Sequence, residues 1–304
     1  MDGYWVVRTY EAGAVGEKTK FWVPGERPSS KGGRRERNEI RKQEQNEHSA
    51  EKALARLINA NFRQGDLLLG LDYSEAGLER LRAWASSQGL PLGTEEEQLD
   101  AMRSAAEHEL RLVLRRVKRE MARAGLDLRY IAVTSDMDGD TGESVRVHHH
   151  LIVPAEAREA FAEKWAGMGG VDWSPLSAQE DYTPVATYLI RQVRRVPDAK
   201  KYISSRNMVR PQPRDRVALT EAELRVPRGG KLLFRGEFKP GLPQYIRYVL
   251  PDGRSRAPAG AQRSGSGGKR TSKEAGGVFS TGGNEDERTL RGRRALRESP
   301  GRRE

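Results

Sequence analysis

The sequence predicts an α+β protein: a central antiparallel sheet with helices packed on it, followed by a disordered basic C-terminal tail. Three observations carry this. Runs with a period of two and runs with a period near 3.6 are interspersed over the first 250 or so residues. The two most strand-like runs, "LRYIAVTSD" (128–136) and "VRVHHHLIV" (145–153), are joined by "MDGDTGES", whose Asp-Gly and Thr-Gly pairs make an antiparallel hairpin. Beyond Arg254 hydrophobic periodicity stops, and "GAQRSGSGGKRTSKEAGG" has nothing with which to bury a core.

Taken in order, "YWVVRTY" and "KTKFWVP" are short β-like runs around a Gly-containing turn, a hairpin. "SSKGGRRERNEIRKQ" reads as a polar, basic connection. A helix is expected over "SAEKALARLINANF", with Ala53, Leu54, Leu57 and Ile58 on one face. "GDLLLGLDYS" follows as a strand and "EAGLERLRAWASSQ" as a helix. Thr94 with Glu97 forms a capping box that opens a long helix. Its apolar stripe is Leu99, Met102, Ala106, Leu110, Val113, Val117 and Met121, and Gly125 closes it.

After the central hairpin come a helix over "EAREAFAEKWA", a short strand "GVDWSPL" and a helix over "TPVATYLIRQVRR" that starts at Pro184. "GKLLFRGEFKPGLPQYIRYVL" reads as a strand and a helix packed behind the domain. One antiparallel sheet with helices on a face, of ferredoxin-like type, satisfies this order. The organisation expected is a hairpin and basic connection (1–44), a main domain with accessory elements (45–250) and the tail (251–304).

Charge and composition narrow the function. Over 304 residues the formal net charge is +11, which points to a polyanionic partner, and nucleic acid fits. The tail from residue 254 holds thirteen Lys/Arg and six Asp/Glu, so much of the excess lies there. There is no cysteine, which excludes disulfides, thiolate catalysis and Cys-based zinc sites. No apolar run is long enough to span a bilayer and no secretory pattern is visible, so no membrane partner and a cytoplasmic location are expected. No GxxxxGK[ST] pattern occurs, which argues against a fused helicase or ATPase.

Three of the five histidines are consecutive, His148 to His150. Either this is a buried strand whose imidazoles find hydrogen bonds, or it is a metal site. Strand alternation puts Val145, Val147, His149, Leu151 and Val153 on one apolar face and Arg146, His148 and His150 on the other. Imidazoles at i and i+2 on one face can converge on a divalent cation, which leaves His149 a structural role. On the last helix, Tyr188, Arg191 and Gln192 share a face and can point together at the sheet. A tyrosine hydroxyl is a poor nucleophile at neutral pH, and a polarised phosphate with a nearby cation supplies what it lacks. Further along, Arg194, Arg195, Lys200, Lys201, Tyr202 and Arg206 interleave cations with an aromatic ring, a pattern that suits single-stranded nucleic acid.

With these residues in view, the chain resembles the HUH endonuclease superfamily. More narrowly it resembles rolling-circle replication-associated proteins of bacterial phages and prophage-like elements, related to the filamentous-phage initiators. The resemblance covers most of residues 45–250. It runs through "ARLINANFRQGDLLLGLDYS", "YIAVTSDMDGDTGESVRVHHHLIV", "VATYLIRQ" and "KKYISSRNMVRPQP". It implies nicking and joining of single-stranded DNA at a replication origin, in a bacterial host, alongside the host helicase and polymerase. It implies Tyr188 as the nucleophile that forms a 5′-phosphotyrosyl link and frees a 3′-OH. It further implies Mg²⁺ or Mn²⁺ held by His148, His150 and a third ligand. Arg191 stands where relatives usually have Lys, and Ser135 where they tend to have Glu. The third ligand is therefore open between Asp136 and Gln192. A relaxase or transposase with the same chemistry, and a non-catalytic origin-binding repressor, are the alternatives.

Overall fold

A computed structural model describes residues 3–25, 37–193 and 200–251. The α+β class holds, with five helices among these residues and two five-stranded antiparallel sheets. The strands are β1 (Gly3–Ala12), β2 (Val15–Pro24), β3 (Leu67–Asp72), β4 (Ile131–Met137), β5 (Ser144–Val153), β6 (Val171–Pro175), β7 (Ile203–Ser204), β8 (Arg214–Ala218), β9 (Lys231–Arg235) and β10 (Gln244–Val249). The helices are α1 (Arg37–Asn61), α2 (Glu75–Ser87), α3 (Glu95–Arg123), α4 (Arg158–Trp165) and α5 (Thr183–Arg191).

The central sheet has the order β6-β3-β5-β4-β7, with β5 in the middle. One of its faces packs on α2, α3 and α4, where Leu69, Leu71, Val147 and Leu151 meet Leu110, Val113, Val117, Phe161 and Trp165. On the reverse face Ile131, Val133 and Ile152 meet Leu54 and Ile58 of α1 and Ala186, Leu189 and Ile190 of α5. Burying each such Leu or Ile contributes about 1.5–3 kcal/mol, so α1 and α5 are held firmly on that half of the face. α3 starts at the expected capping box: Glu97 N donates to Thr94 Oγ1 (3.2 Å) and Thr94 N donates to Glu97 Oε2 (2.9 Å). Gly125, at φ +72°, ends it.

Three expectations are corrected. A single sheet was expected, but the first hairpin nucleates a second one, of order β8-β1-β2-β10-β9. Both hairpin edges carry open backbone groups, and strands from residues 214–249 pair with them. The helix expected near residue 245 is strand β10: Gln244, Ile246 and Tyr248 are buried while Tyr245, Arg247 and Val249 are half-buried, a period of two. Finally, α1 begins at Arg37, not near residue 49. The segment "RNEIRKQEQNEH" is rich in Glu, Gln, Lys and Arg, which favour helix without an apolar stripe, so periodicity is silent there. One consequence is that the boundary drawn at residue 44 falls inside α1. Arg56 of α1 ties the two sheets, bonding Glu17 of β2 at 2.7 Å with its guanidinium over the Tyr10 ring.

No helix among the described residues is long and apolar enough to cross a membrane. The tail beyond residue 251, expected to be disordered, lies outside the described residues.

Candidate active site

The site is built on the middle strand. Register places His148 opposite Asp72 of β3 and Ser135 of β4, and His150 opposite Gly70 and Val133. Parity is as the sequence implies. His149 is fully buried on the α3 side, while His148 and His150 are half-buried on the other face. There α1 and α5 cover only the part around Ile131, Val133 and Ile152. Gly70, opposite His150, adds no side chain, so the face stays shallow beside the imidazoles.

Two imidazole nitrogens and an amide oxygen meet over this strand. His148 Nε2 lies 3.1 Å from His150 Nε2, which lies 2.6 Å from Gln192 Oε1. His148 donates its Nδ1–H to the carbonyl of Arg146 (2.9 Å), which turns its Nε2 toward His150. Burial first, then His148, pushes the His150 imidazole down to about 4, so His150 is neutral at physiological pH, as a ligand must be. In an octahedral site with bonds of about 2.0–2.1 Å, neighbouring donor atoms stand about 3 Å apart. The two imidazole nitrogens, 3.1 Å apart, match that spacing and the amide oxygen stands somewhat closer to His150, at 2.6 Å, so the chemistry of the donor set fits a small divalent cation. The third member is an amide; no group of three or more His, Cys, Asp or Glu side chains gathers among the described residues.

Gln192 caps the C-terminal end of α5, and β4 fixes it there. Ser135, wholly buried, donates its hydroxyl to the Gln192 carbonyl at 2.8 Å, with Gln192 Oε1 at 3.2 Å. The turn of the central hairpin closes over the same point. A Cβ on Gly139 would stand 3.3 Å from both Gln192 Cγ and Arg191 Cβ, a tighter approach than ordinary packing allows. Glycine thus lets the turn lie against the helix end.

Tyr188 stands beside the cluster. Its ring meets His150 edge to face, with centroids 5.5 Å apart, and the residue is 47% exposed. Arg191, one turn on, is exposed. Tyr182, by contrast, is buried and donates its hydroxyl to the Ser177 carbonyl (3.1 Å).

Asp136, one of the two candidates for third ligand, is not brought to the histidines. Ser135 points at Gln192, so its neighbour Asp136 points through the sheet to α3, where it is buried and bonded to Arg103 at 2.9 Å. His149 lies on that same side, its Nε2 2.8 Å from Tyr73 Oη and its Nδ1 3.1 Å from Thr134 Oγ1. Burial first, then the cationic forms of its histidine neighbours and Arg103, pushes it down to about 3. It is a satisfied core histidine. Sequence reasoning missed Arg103, although the signal was present: residue 103 falls in phase with Leu99, Ala106 and Leu110, and a cation in an apolar stripe demands a buried carboxylate.

Of the expected DNA-binding cluster, Arg194 and Arg195 lie outside the described residues. Lys200, Lys201 and Tyr202 lead into edge strand β7 and line, with Arg103, Arg111 and Thr134, a recess of about 300 Å³. Arg206 is exposed just beyond β7. These residues therefore flank the sheet edge and do not share the open face with His148 and His150.

Neither protein-family models, nor curated proteins, nor solved structures give a match to this chain.

Proposed function

We propose that the chain is a nicking-and-joining endonuclease for single-stranded DNA that initiates rolling-circle replication in a bacterial cytoplasm. The observation that carries the reading is the convergence of His148 Nε2, His150 Nε2 and Gln192 Oε1 beside an exposed Tyr188 ring. The sequence resemblance supplies the reaction.

His148, His150 and Gln192 would hold Mg²⁺ or Mn²⁺, and the bound ion supplies polarisation of the scissile phosphate. The chain's own residues do the rest. Tyr188 Oη attacks phosphorus, the bond to the 3′-oxygen breaks, and the tyrosine proton leaves so that a 3′-OH is released. The product is a 5′-phosphotyrosyl link, and attack by a 3′-OH reverses the step and joins the ends. Arg191, one turn from Tyr188, offsets phosphate charge as the pentavalent centre forms. The shallow face beside Gly70 gives an extended strand room to lie against the histidines. Asp136 takes no part in holding the ion in this reading. A host helicase and polymerase would use the exposed 3′-OH as primer.

The test is metal dependence of strand scission. Single-stranded fragments from the chain's own replicon, incubated with the protein and Mn²⁺, should yield a covalent protein–DNA adduct and a free 3′-OH. EDTA should abolish both. Tight binding of the same fragments with no scission under any divalent ion would leave a repressor and overturn the proposal.

A further inference from the structure

We infer that the outer face of α3 is a second DNA-binding surface, on which Arg115, Lys118 and Arg119, with Arg111 beside them, hold the phosphate backbone of double-stranded DNA. At 3.6 residues per turn these four positions fall within an arc of about 100°, and with a rise of 1.5 Å per residue they span about 12 Å. All four residues are exposed, while Val113, Leu114 and Val117 between them are buried against the sheet.

The pairing pattern on this helix separates the stripe from an ordinary solvated face. Other cations of α3 have carboxylates on the helix: Arg103 and Arg111 pair with Glu107 at 3.4 and 3.0 Å, Arg116 with Glu109 at 3.7 Å, and Arg123 with Glu120 at 3.5 Å. Among the described residues, Arg115, Lys118 and Arg119 have no such partner. Moreover, Arg111 and Arg115, and Arg115 and Arg119, are like charges at i and i+4, an arrangement that disfavours the helix. Charge complementarity to a polyanion accounts for it.

The chemistry of the face selects the kind of polyanion. Single-strand surfaces add aromatic side chains on which bases stack. Here no large exposed hydrophobic residue lies on α3. What remains is backbone neutralisation without base readout, which suits the regular phosphates of a duplex. The stripe also looks away from the candidate active site, because α3 covers the sheet face opposite to that of His148 and His150. It would hold duplex flanking the single strand. The inference shares with the proposed function only the premise that DNA is the partner.

The experiment is equilibrium binding of the full chain to a fluorescent duplex of arbitrary sequence in EDTA, over a series of salt concentrations. Removing one phosphate-neutralising cation lowers the slope of log affinity against log salt by about 0.9. Arg115→Gln/Lys118→Gln/Arg119→Gln should therefore lower it by about 2–3, with an unfolding midpoint equal to or above that of the parent. Arg115→Lys/Arg119→Lys should keep the slope, since a point charge suffices to displace counterions. Should the triple variant unfold, the single variants Arg115→Gln and Arg119→Gln carry the same test, each lowering the slope by about 0.9. An unchanged slope, or loss of single-strand binding with duplex binding intact, overturns the inference. Binding of the same stripe to anionic vesicles in preference to the duplex also overturns it. Nicking without a slope change sinks this inference alone; a slope change without nicking sinks the proposed function alone.

Discussion

His150 Nε2 lies 2.6 Å from Gln192 Oε1, so the end of helix α5 is joined to the middle strand of the sheet at the atom a cation would use. This proximity brings Gln192, and not Asp136, to the two histidines. Gln192→Ala should weaken Mn²⁺ binding by at least about 10-fold, measured by calorimetry or electron paramagnetic resonance, and Gln192→Glu should tighten it. Asp136→Ala should leave Mn²⁺ affinity unchanged. It should instead lower stability by about 3–5 kcal/mol in denaturant titrations, because Arg103 is left as a buried charge. The reverse pattern would return Asp136 to the site.

Ser135 acts on the same cluster from beneath. Its hydroxyl bonds the Gln192 carbonyl and lies within reach of the side-chain amide. Ser135→Ala should cost about 0.5–1.5 kcal/mol of stability and weaken Mn²⁺ binding more than 10-fold, in the range seen for residues that orient metal ligands. Ser135→Thr, which keeps the hydroxyl, should restore the affinity. A stability loss with unaltered metal affinity in Ser135→Ala would reduce the residue to packing.

The middle histidine separates fold from chemistry. His149→Leu removes a partner of Tyr73 Oη, which keeps only a 3.4 Å contact to the Ala106 carbonyl, and of Thr134 Oγ1, in a fully buried setting. Thermal and urea unfolding should register a loss of about 1–3 kcal/mol, with adduct formation retained in the folded fraction. His148→Ala should do the opposite, keeping the fold and losing the Mn²⁺-dependent adduct. If a fully folded His149→Leu is inactive, the division of the strand into two faces is wrong.

Much of this site was legible because strand parity is strict. The three consecutive histidines divide into an open pair and a buried single residue by alternation alone, and residues 188, 191 and 192 share a helical face by period alone. What parity could not give was the partner across the hairpin. Asp136 and Ser135 are one residue apart, and only the observed register puts Ser135 level with His148. The second sheet was hidden for a different reason. Its outer strands come from residues 214–249, and pairing over about 200 residues of separation leaves no local trace. The early start of α1 was missed because propensity without an apolar stripe leaves no periodic signal. The cationic face of α3 lay in the sequence as well, in "LRRVKREMAR", but its lack of partners became visible only with the ion pairs of the helix in place.

The central claim is that Tyr188 is the nucleophile, and the direct measurement is mass-spectrometric mapping of the covalent DNA adduct in the parent, Tyr188→Phe and Tyr182→Phe proteins. Tyr188 presents its ring at His150 and is about half exposed, whereas Tyr182 is buried with its hydroxyl bonded to Ser177. Tyr188→Phe removes one oxygen and keeps the ring, so single-strand binding and Mn²⁺ affinity should persist while the adduct vanishes. Tyr182→Phe should still form it, with the phosphotyrosine on residue 188. An adduct that survives in Tyr188→Phe, or that maps to Tyr182 or Tyr202, contradicts the account.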